Sequence, residues 1–227
     1  MASGIPPAPL VVFDVNETLS DLGPLADAFL AVGAPGHLVE HWFSSVLRDG
    51  FALSIAGLCP NFADLGRGVL AGLLAGHPLN VQPGEAVEQI MSAFADSPVH
   101  PDVADGIRDL HEAGLRICTL SNGGTAFADA MLTRAGVRDL VDPLLSVQDA
   151  GAWKPVPRAY RYAAEATEVA AGDLMLVAVH PWDCDAALRA GLRAAWIDRT
   201  GAPYPSMFTR PDLTATSIPD LAAQLRR

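Results

Sequence analysis

One short apolar run near the start of the chain constrains the fold more than any other feature of the sequence. Residues 10–13 read Leu-Val-Val-Phe, and the run ends at Asp14. A short apolar run rich in β-branched residues is typical of a parallel strand that is buried on both faces. Runs of the same kind recur at residues 115–120, 140–147, 174–179 and 194–197. We therefore predict a sheet of buried strands, the first of which ends at a carboxylate.

Stretches with helical spacing lie between these strands. They are alanine-rich and occupy residues 126–135, 157–167 and 184–190. Strands that alternate with helices indicate an α/β fold, in which helices cover both faces of a parallel sheet. Ligands of such folds bind at the carboxyl ends of the strands. Functional side chains are therefore expected directly after the strands.

The segment from residue 22 to residue 97 interrupts this alternation. It has no strand pattern, and its helical patterns occupy residues 24–32, 37–47, 62–74 and 84–94. Because the segment separates the first two strands, we predict a helical cap domain that could close over the strand ends and exclude water. The core domain would then comprise residues 1–21 and 98–227, and the cap domain residues 22–97.

Charge and composition exclude several kinds of partner. The formal net charge is −11 and the chain has no basic run, so neither nucleic acid nor an anionic membrane surface is expected to bind. Residues 1–10 lack a leader pattern, and no apolar run approaches the roughly 20 residues that a membrane span requires. We expect a cytoplasmic protein, and a homodimer is one assembly that the sequence leaves open.

The three cysteines are predicted to be small buried apolar residues. Cys59, Cys118 and Cys184 are an odd number at wide spacing, and no Cys-x-x-Cys pair is present. A disulfide framework or a zinc site has a different pattern, whereas free cysteines are often fully buried.

Polar residues follow four of the predicted elements. They are Asp14 and Thr18, Ser121 and Asn122, Lys154 and Tyr160, and His180 and Asp183. Taken singly, each pair also fits a capped turn or a solvated charge. Their coincidence at the carboxyl edge of one sheet is what indicates an active site.

The order and spacing of these residues resemble the haloacid dehalogenase superfamily, and more closely its type II 2-haloacid dehalogenases, over nearly the whole chain. The motifs are Asp-x-x-x-Thr-Leu-x-Asp at 14–21, Leu-Ser-Asn-Gly at 120–123, Lys-Pro-x-x-x-x-Tyr at 154–160 and Trp-Asp-x-x-x-Ala at 182–187. The resemblance implies a Rossmann-like core with an inserted helical cap. It also implies hydrolysis of a small 2-haloalkanoic acid to a 2-hydroxy acid and halide, without a metal or another cofactor.

The resemblance further implies a role for each site residue. Asp14 would attack the α-carbon and form an ester that water then cleaves, while Lys154 keeps Asp14 ionised and Thr18 orients it. Ser121 would act with Asn122 on the substrate carboxylate. Asp183 would position or activate the hydrolytic water. The further substrate-binding positions are Asn16, Tyr160, His180, Phe43, Trp182, Phe62 and Leu47.

The sequence departs from the family pattern most seriously at Phe43. Type II dehalogenases carry an arginine there, directly after a tryptophan that Trp42 matches. The change removes a charge-assisted donor worth on the order of 1.5–3 kcal/mol. Arg48 lies five residues further on, so on a regular helix it would point away from the face of Phe43.

Two further departures lie close to the nucleophile. His180 replaces an asparagine, and it could either donate to the halide or be a structural histidine bonded to a backbone carbonyl. Glu17 replaces a glycine and adds a carboxylate near Asp14.

Two other functions stay open at this point. The magnesium-dependent phosphatases of the superfamily use carboxylates at the positions of Asn16 and Val179, so Asp14 and Asp183 would be the only carboxylate ligands of Mg²⁺ here. A catalytically weak binding homologue is the other alternative, and Phe43 favours it.

Overall fold

The computed structural model describes residues 10–226, and its centre is a six-stranded parallel sheet. The strands are β1 Leu10–Phe13, β2 Arg116–Ser121, β3 Leu144–Ser146, β4 Leu174–Ala178, β5 Arg193–Ile197 and β6 Leu213–Ala215. Their order is β3-β2-β1-β4-β5-β6, and each neighbouring pair is parallel. The predicted α/β fold with a Rossmann-like sheet is therefore confirmed. Residues 1–9, for which the sequence predicts no leader, lie outside the described residues.

The central strand β1 is buried on both of its faces. Leu10 and Val12 pack in the apolar core that also contains residues of the inserted helices. Val11 and Phe13 pack in a second core on the opposite face. All four side chains are 0% exposed. A strand covered on both faces has no polar side, which explains its uninterrupted apolar run.

Four helices lie in the inserted segment that follows β1. They are α1 Leu25–Ala31, α2 Leu38–Ile55, α3 Phe62–Leu74 and α4 Pro83–Ala95. Residues 22–97, all of which are described, contain no strand. The inserted helical cap of the predicted fold class is thus confirmed, while the domain boundaries at residues 22 and 97 stay a prediction.

Helix α2 is longer than its sequence pattern predicts, because it continues to Ile55 rather than ending near Leu47. Gly50 lies within it, and glycine ordinarily lowers helix propensity. Here α2 packs so closely on Trp153 that a Cβ atom at Gly50 would lie 2.2 Å from the indole Cζ3. Tertiary contact with the core therefore accounts for a glycine inside the helix.

The remaining helices surround the sheet. They are α5 Val103–Glu112, α6 Thr125–Arg134, α7 Val147–Ala150, α8 Pro157–Thr167, α9 Pro181–Arg189 and α10 Ile218–Leu225. Helices α6, α8 and α9 cover the stretches that the sequence predicts, whereas α5 and α10, which pack on each other, were not predicted. None of the helices within residues 10–226 is both long and apolar enough to cross a membrane.

The strand predicted over residues 140–147 is wrong in length, because β3 covers only Leu144–Ser146. Pro143 precedes β3 and has no N–H group to donate to a neighbouring strand. At the other end, the hydroxyl of Ser146 accepts a hydrogen bond from the N–H of Gln148 at 3.2 Å, which caps α7.

The three cysteines are free. Cys118 and Cys184 are fully buried, as predicted. The prediction is wrong for Cys59, which is only half-buried and lies beside the polar side chain of Gln148, with 3.6 Å between Sγ and Nε2.

Candidate active site

The polar residues that follow β1, β2 and β4 meet at one edge of the sheet because β1 lies between the other two strands. Asp14 directly follows β1, and its N–H donates to the carbonyl of Val177 in β4 at 3.0 Å. The Asp14 side chain is enclosed, with 4% of the residue exposed. A carboxylate in such a place needs partners for its charge.

Lys154 supplies that partner. Its Nζ donates to Oδ1 of Asp14 at 2.8 Å and to Oδ2 of Asp183 at 2.6 Å. It is the only lysine of the chain, and it is 0% exposed. Burial on its own lowers the pKa of Lys154, but attraction from Asp14 and Asp183 outweighs it and raises that pKa above its ordinary 10.5. Lys154 is therefore held as an ammonium ion.

Asp14 is held as a carboxylate. Burial on its own raises the pKa of Asp14. The charges of Lys154 and His180, together with the hydrogen bonds from Lys154 and Thr18, lower that pKa by more than burial raises it. The net effect is a pKa below the ordinary value of 3.8. At neutral pH an ionised oxygen pair is thus enclosed at the end of β1, which is what a nucleophile requires.

Asp183 contacts protein donors with both of its oxygens. Oδ2 accepts from Lys154, and Oδ1 accepts from the hydroxyl of Tyr160 at 2.5 Å. Burial raises the pKa of Asp183, as does Asp14, while Lys154 lowers it. Burial and Asp183 together raise the pKa of Tyr160 well above 10, so Tyr160 remains a donor.

This arrangement gives Asp183 a structural role beside the one expected of it. The residue is 0% exposed, and each carboxylate oxygen accepts from a protein donor. Its Oδ2 holds the ammonium group of Lys154, which also contacts Asp14, while its expected action on the hydrolytic water stays a prediction. Tyr160 in turn fixes Asp183.

Thr18 joins the nucleophile to the neighbouring strand end. Its Oγ1 donates to Oδ2 of Asp14 at 2.7 Å and accepts from the N–H of Val179 at 3.1 Å. With Lys154 on Oδ1 and Thr18 on Oδ2, both oxygens of Asp14 are oriented by a hydrogen bond.

Thr18→Val is expected to lower the free energy of unfolding by about 1–3 kcal/mol, because a buried charge and a backbone N–H each lose a partner. The change keeps the branched shape of the side chain, so it isolates the hydroxyl. Urea unfolding at pH 7 measures the effect. Thr133→Val, at an exposed position of α6, is the matched control and should change stability by less than about 0.5 kcal/mol. Equal stability of the two variants would contradict this account.

Ser121 and Asn122 are brought to the site, and the Asn122 side chain contacts the backbone of Lys154. Its Oδ1 accepts from the N–H of Lys154 at 2.9 Å, and its Nδ2 donates to the carbonyl of Lys154 at 3.3 Å. The amide therefore holds the backbone of Lys154 in place, and a contact between Asn122 and the substrate carboxylate stays a prediction. The Ser121 hydroxyl accepts from the N–H of Gly123 at 2.9 Å, which leaves its own proton available for donation.

Aromatic side chains from the cap and the core enclose His180. Its ring stacks on Phe43 at 6.2 Å and on Trp182 at 5.2 Å between centroids. Its Nε2 lies 3.2 Å from the carbonyl oxygen of Asn16 and 3.6 Å from Oδ2 of Asp14. His180 thus contacts a backbone carbonyl, as a structural histidine would, and also lies close to Asp14, while donation to the halide stays a prediction.

The other apolar residues that are expected to bind substrate pack in the same core as Phe43. Phe62 stacks on Trp153 at 5.8 Å between centroids, and Leu47 is half-buried against the same core. Phe43 is 3% exposed, so a phenyl ring occupies the place expected for a guanidinium. Arg48 does not replace it, since its side chain is 68% exposed and pairs with Asp49 at 2.7 Å. The expectation that Arg48 points away is confirmed.

Asn16 and Glu17 add polar atoms beside the nucleophile. Oδ1 of Asn16 is buried and has no hydrogen-bond partner among the described residues. Such an atom is costly unless a ligand or water meets it. Glu17 has φ of 61°, in the left-handed region that favours glycine, and its Oε2 lies 3.7 Å from Nε2 of His180. Burial is the main reason that the pKa of Glu17 is raised.

The donor set does not suit Mg²⁺. The ammonium group of Lys154 already lies between the two carboxylates, and Asn16 and Val179 supply no further ones. Residues 10–226 contain no group of three or more His, Cys, Asp or Glu side chains placed to hold a metal ion. Because Mg²⁺ is held by carboxylates together with substrate phosphate, these residues do not fit a magnesium-dependent phosphatase.

Comparison with known proteins agrees with this geometry. The family model described as a haloacid dehalogenase-like hydrolase matches residues 9–191. The chain belongs to the haloacid dehalogenase-like hydrolases. The resemblance to the type II 2-haloacid dehalogenases, which the motifs indicated, is confirmed as well.

Three relatives illustrate the similarity of this haloacid dehalogenase-like hydrolase to dehalogenases. Haloacetate dehalogenase H-2 of Moraxella sp. (strain B) is 26% identical over 90% of this chain and 92% of its own. The (S)-2-haloacid dehalogenase of Pseudomonas sp. (strain YL) is 36% identical, but that match spans only 52% of this chain and 50% of the relative. A solved L-2-haloacid dehalogenase is 26% identical, with a TM-score of 0.89 over 98% of this chain and 100% of its own.

Proposed function

We propose that this hydrolase cleaves the carbon–halogen bond of a small 2-haloalkanoic acid through an ester on Asp14. The observation that carries the proposal is the enclosed Asp14 carboxylate, which the ammonium group of Lys154 keeps ionised at 2.8 Å. The names of the relatives, haloacetate and (S)-2-haloacid dehalogenase, support this choice of substrate. No cofactor takes part. The cytoplasmic location and the homodimer stay predictions.

In the first step, an oxygen of Asp14 attacks C2 of the substrate from the side opposite the halogen. The carbon–oxygen bond forms as the carbon–halogen bond breaks, and the halide leaves with the electron pair. Thr18 and Lys154 orient the attacking carboxylate. The Ser121 hydroxyl, whose own proton is available for donation, donates to the substrate carboxylate.

In the second step, water attacks Cγ of Asp14. The 2-hydroxy acid leaves with the oxygen that came from Asp14, and the carboxylate is restored with an oxygen from water. Lys154 and Thr18 contact the Asp14 oxygens, so they can stabilise the negative charge that develops there. Asp183 keeps Lys154 charged while Asp14 is a neutral ester.

His180 takes the place of the absent guanidinium as donor to the departing halide. Its Nε2 lies 3.6 Å from Oδ2 of Asp14, and its ring is held between Phe43 and Trp182. The ring is thus held at the side of the reacting centre, and a rigid donor needs little reorganisation when the charge of the halide appears.

His180→Ala is expected to lower kcat about tenfold for a chloro acid and less for the matching bromo acid. Chloride is the poorer leaving group and therefore depends more on a hydrogen-bond donor. Rates of halide release from 2-chloro- and 2-bromopropionate measure the ratio. His111→Ala, at an exposed histidine of α5, is the matched control and should leave both rates unchanged. A chloro-to-bromo ratio equal to that of the wild type would remove His180 from this role.

Halide release decides the reaction class. Incubation with fluoro-, chloro- and bromoacetate and with 2-chloropropionate, in the presence of a chelator, is expected to release halide and the hydroxy acid. If halide does not appear, while a phosphate ester is hydrolysed only when Mg²⁺ is added, the protein is a phosphatase. If neither substrate reacts, the protein is a binding homologue without turnover.

A further inference from the structure

A cavity of about 610 Å³ lies next to the candidate active site, between the cap helices and the ends of β4 and β5. Glu17 and His180 line it, and Nε2 of His180 is 3.6 Å from Oδ2 of Asp14. Asp14 itself is not among the lining residues. The cavity is therefore one side chain away from Asp14, because His180 lines the cavity and also lies beside that carboxylate.

The size of the cavity exceeds what a haloacetate needs. Ligand pockets of about 300–1,000 Å³ hold molecules of drug-like size, whereas a haloacetate has only a few heavy atoms. The walls are largely apolar: they include Leu22, Ala26 and Val39 from the cap side and Val179, Trp196 and Ile197 from the core side. Such walls favour a hydrocarbon group.

The charges along the cavity oppose a second anionic group. Glu17, Asp21 and Glu40 line it, and Glu40 is exposed. Arg199 also lines it, but that guanidinium already donates to Asp102 at 2.8 Å and to the carbonyl of Thr18 at 2.9 Å. A carboxylate at the far end of a substrate would meet mainly negative charge.

We propose that this cavity binds the C2 substituent of the substrate, so that the natural substrates are 2-halo acids with an uncharged, mainly apolar chain of several carbons. The inference rests on the proposed function and adds to it the size and charge of the substrate. The chain would leave the reacting carbon past His180 and Glu17 and lie between the two walls.

Bromide release from three acids tests the substrate class. Wild-type protein is expected to act on 2-bromohexanoate with a kcat/KM at least equal to that for bromoacetate. It should act on 2-bromoadipate, which has the same chain length and a terminal carboxylate, at least about tenfold less well. Equal kcat/KM values for 2-bromohexanoate and 2-bromoadipate would contradict the proposal that the substrate chain is uncharged. Release from bromoacetate but not from 2-bromohexanoate would overturn the cavity and leave the proposed function standing. Bromide release from none of the three acids would contradict both the proposal for the cavity and the proposed function.

Filling the cavity tests its role directly. Ala26→Phe, on α1, is expected to lower the ratio of kcat/KM for 2-bromohexanoate over bromoacetate about tenfold or more. Ala31→Phe makes the same change at an exposed position of the same helix that does not line the cavity, and should leave the ratio and the bromoacetate rate unchanged. His37→Trp narrows the cavity from an exposed position if Ala26→Phe fails to fold, and should lower the same ratio. An unchanged ratio in a folded filling variant would overturn the proposal.

Discussion

Asp14→Asn is expected to abolish halide release, with kcat lower than that of the wild type by on the order of 10⁴-fold or more. The amide has the shape of the carboxylate, although its single oxygen can replace only one of the two oxygens that accept from Lys154 and Thr18. A neutral amide oxygen is a poor nucleophile for an SN2 displacement. Losses of this size are typical when the nucleophile of a covalent mechanism is removed. Initial rates of bromide release from 2-bromopropionate measure the effect.

The fold must persist in this variant for the loss to be informative. Circular dichroism and the urea midpoint therefore accompany the rates. Asp27→Asn, at an exposed position of α1, is the matched control and should retain the wild-type rate. Residual activity of a tenth or more in folded Asp14→Asn would mean that another group attacks the substrate.

Lys154→Met is expected to destabilise the protein by about 3–5 kcal/mol, the usual loss when one member of a buried charge pair is removed. Asp14 and Asp183 would then face each other without a cation, at 4% and 0% exposure. Urea unfolding measures the change. Arg158→Met, which removes an exposed cation from the start of α8, should change stability by less than about 0.5 kcal/mol.

The pH dependence of that loss has a definite sign. In the wild type, the pKa of Asp14 lies below 3.8, so its contribution to stability is present above pH 3.8 and is lost as the pH falls through the lowered value. Without Lys154, burial and repulsion from Asp183 raise the pKa of Asp14 instead. Protonation of Asp14 then removes its unpaired buried charge. The variant should therefore lose less unfolding free energy relative to the wild type at pH 4 than at pH 7.

A second substitution shows whether uncompensated charge is the cause. Lys154→Met combined with Asp183→Asn leaves one buried carboxylate rather than two, so the double variant should recover part of the stability lost in Lys154→Met. A loss below about 1 kcal/mol in the single variant, or no recovery in the double variant, would contradict the charge network.

The sequence predicts the position of the nucleophile well, and the reason is physical. A strand buried on both faces is apolar at every position, so the run of residues 10–13 has clear bounds and Asp14 stands out at its end. The meeting of Asp14, Thr18 and Lys154 follows from the parallel order of the strands. Segments without such a pattern were missed, including the three-residue edge strand β6.

Side-chain partners between distant loops could not be predicted in the same way. Asn122 and Lys154 are separated by 32 positions, and only the folded loops bring the amide to the lysine backbone. The same applies to Asp183, whose burial between Lys154 and Tyr160 depends on how α8 packs against α9. Glu17 could be recognised from the sequence, because a carboxylate stands there in place of glycine. Its φ of 61° lies in the region that favours glycine, which gives the backbone reason for the family's usual residue.

Single-turnover hydrolysis in oxygen-18 water tests the covalent ester on Asp14 most directly. With enzyme in excess over 2-bromopropionate, the lactate formed should carry ordinary oxygen, and the heavy isotope should appear in the peptide that contains Asp14. This result is expected because water attacks Cγ of Asp14 rather than the substrate carbon. Oxygen-18 in the lactate of the first turnover, with no label on Asp14, would contradict the mechanism.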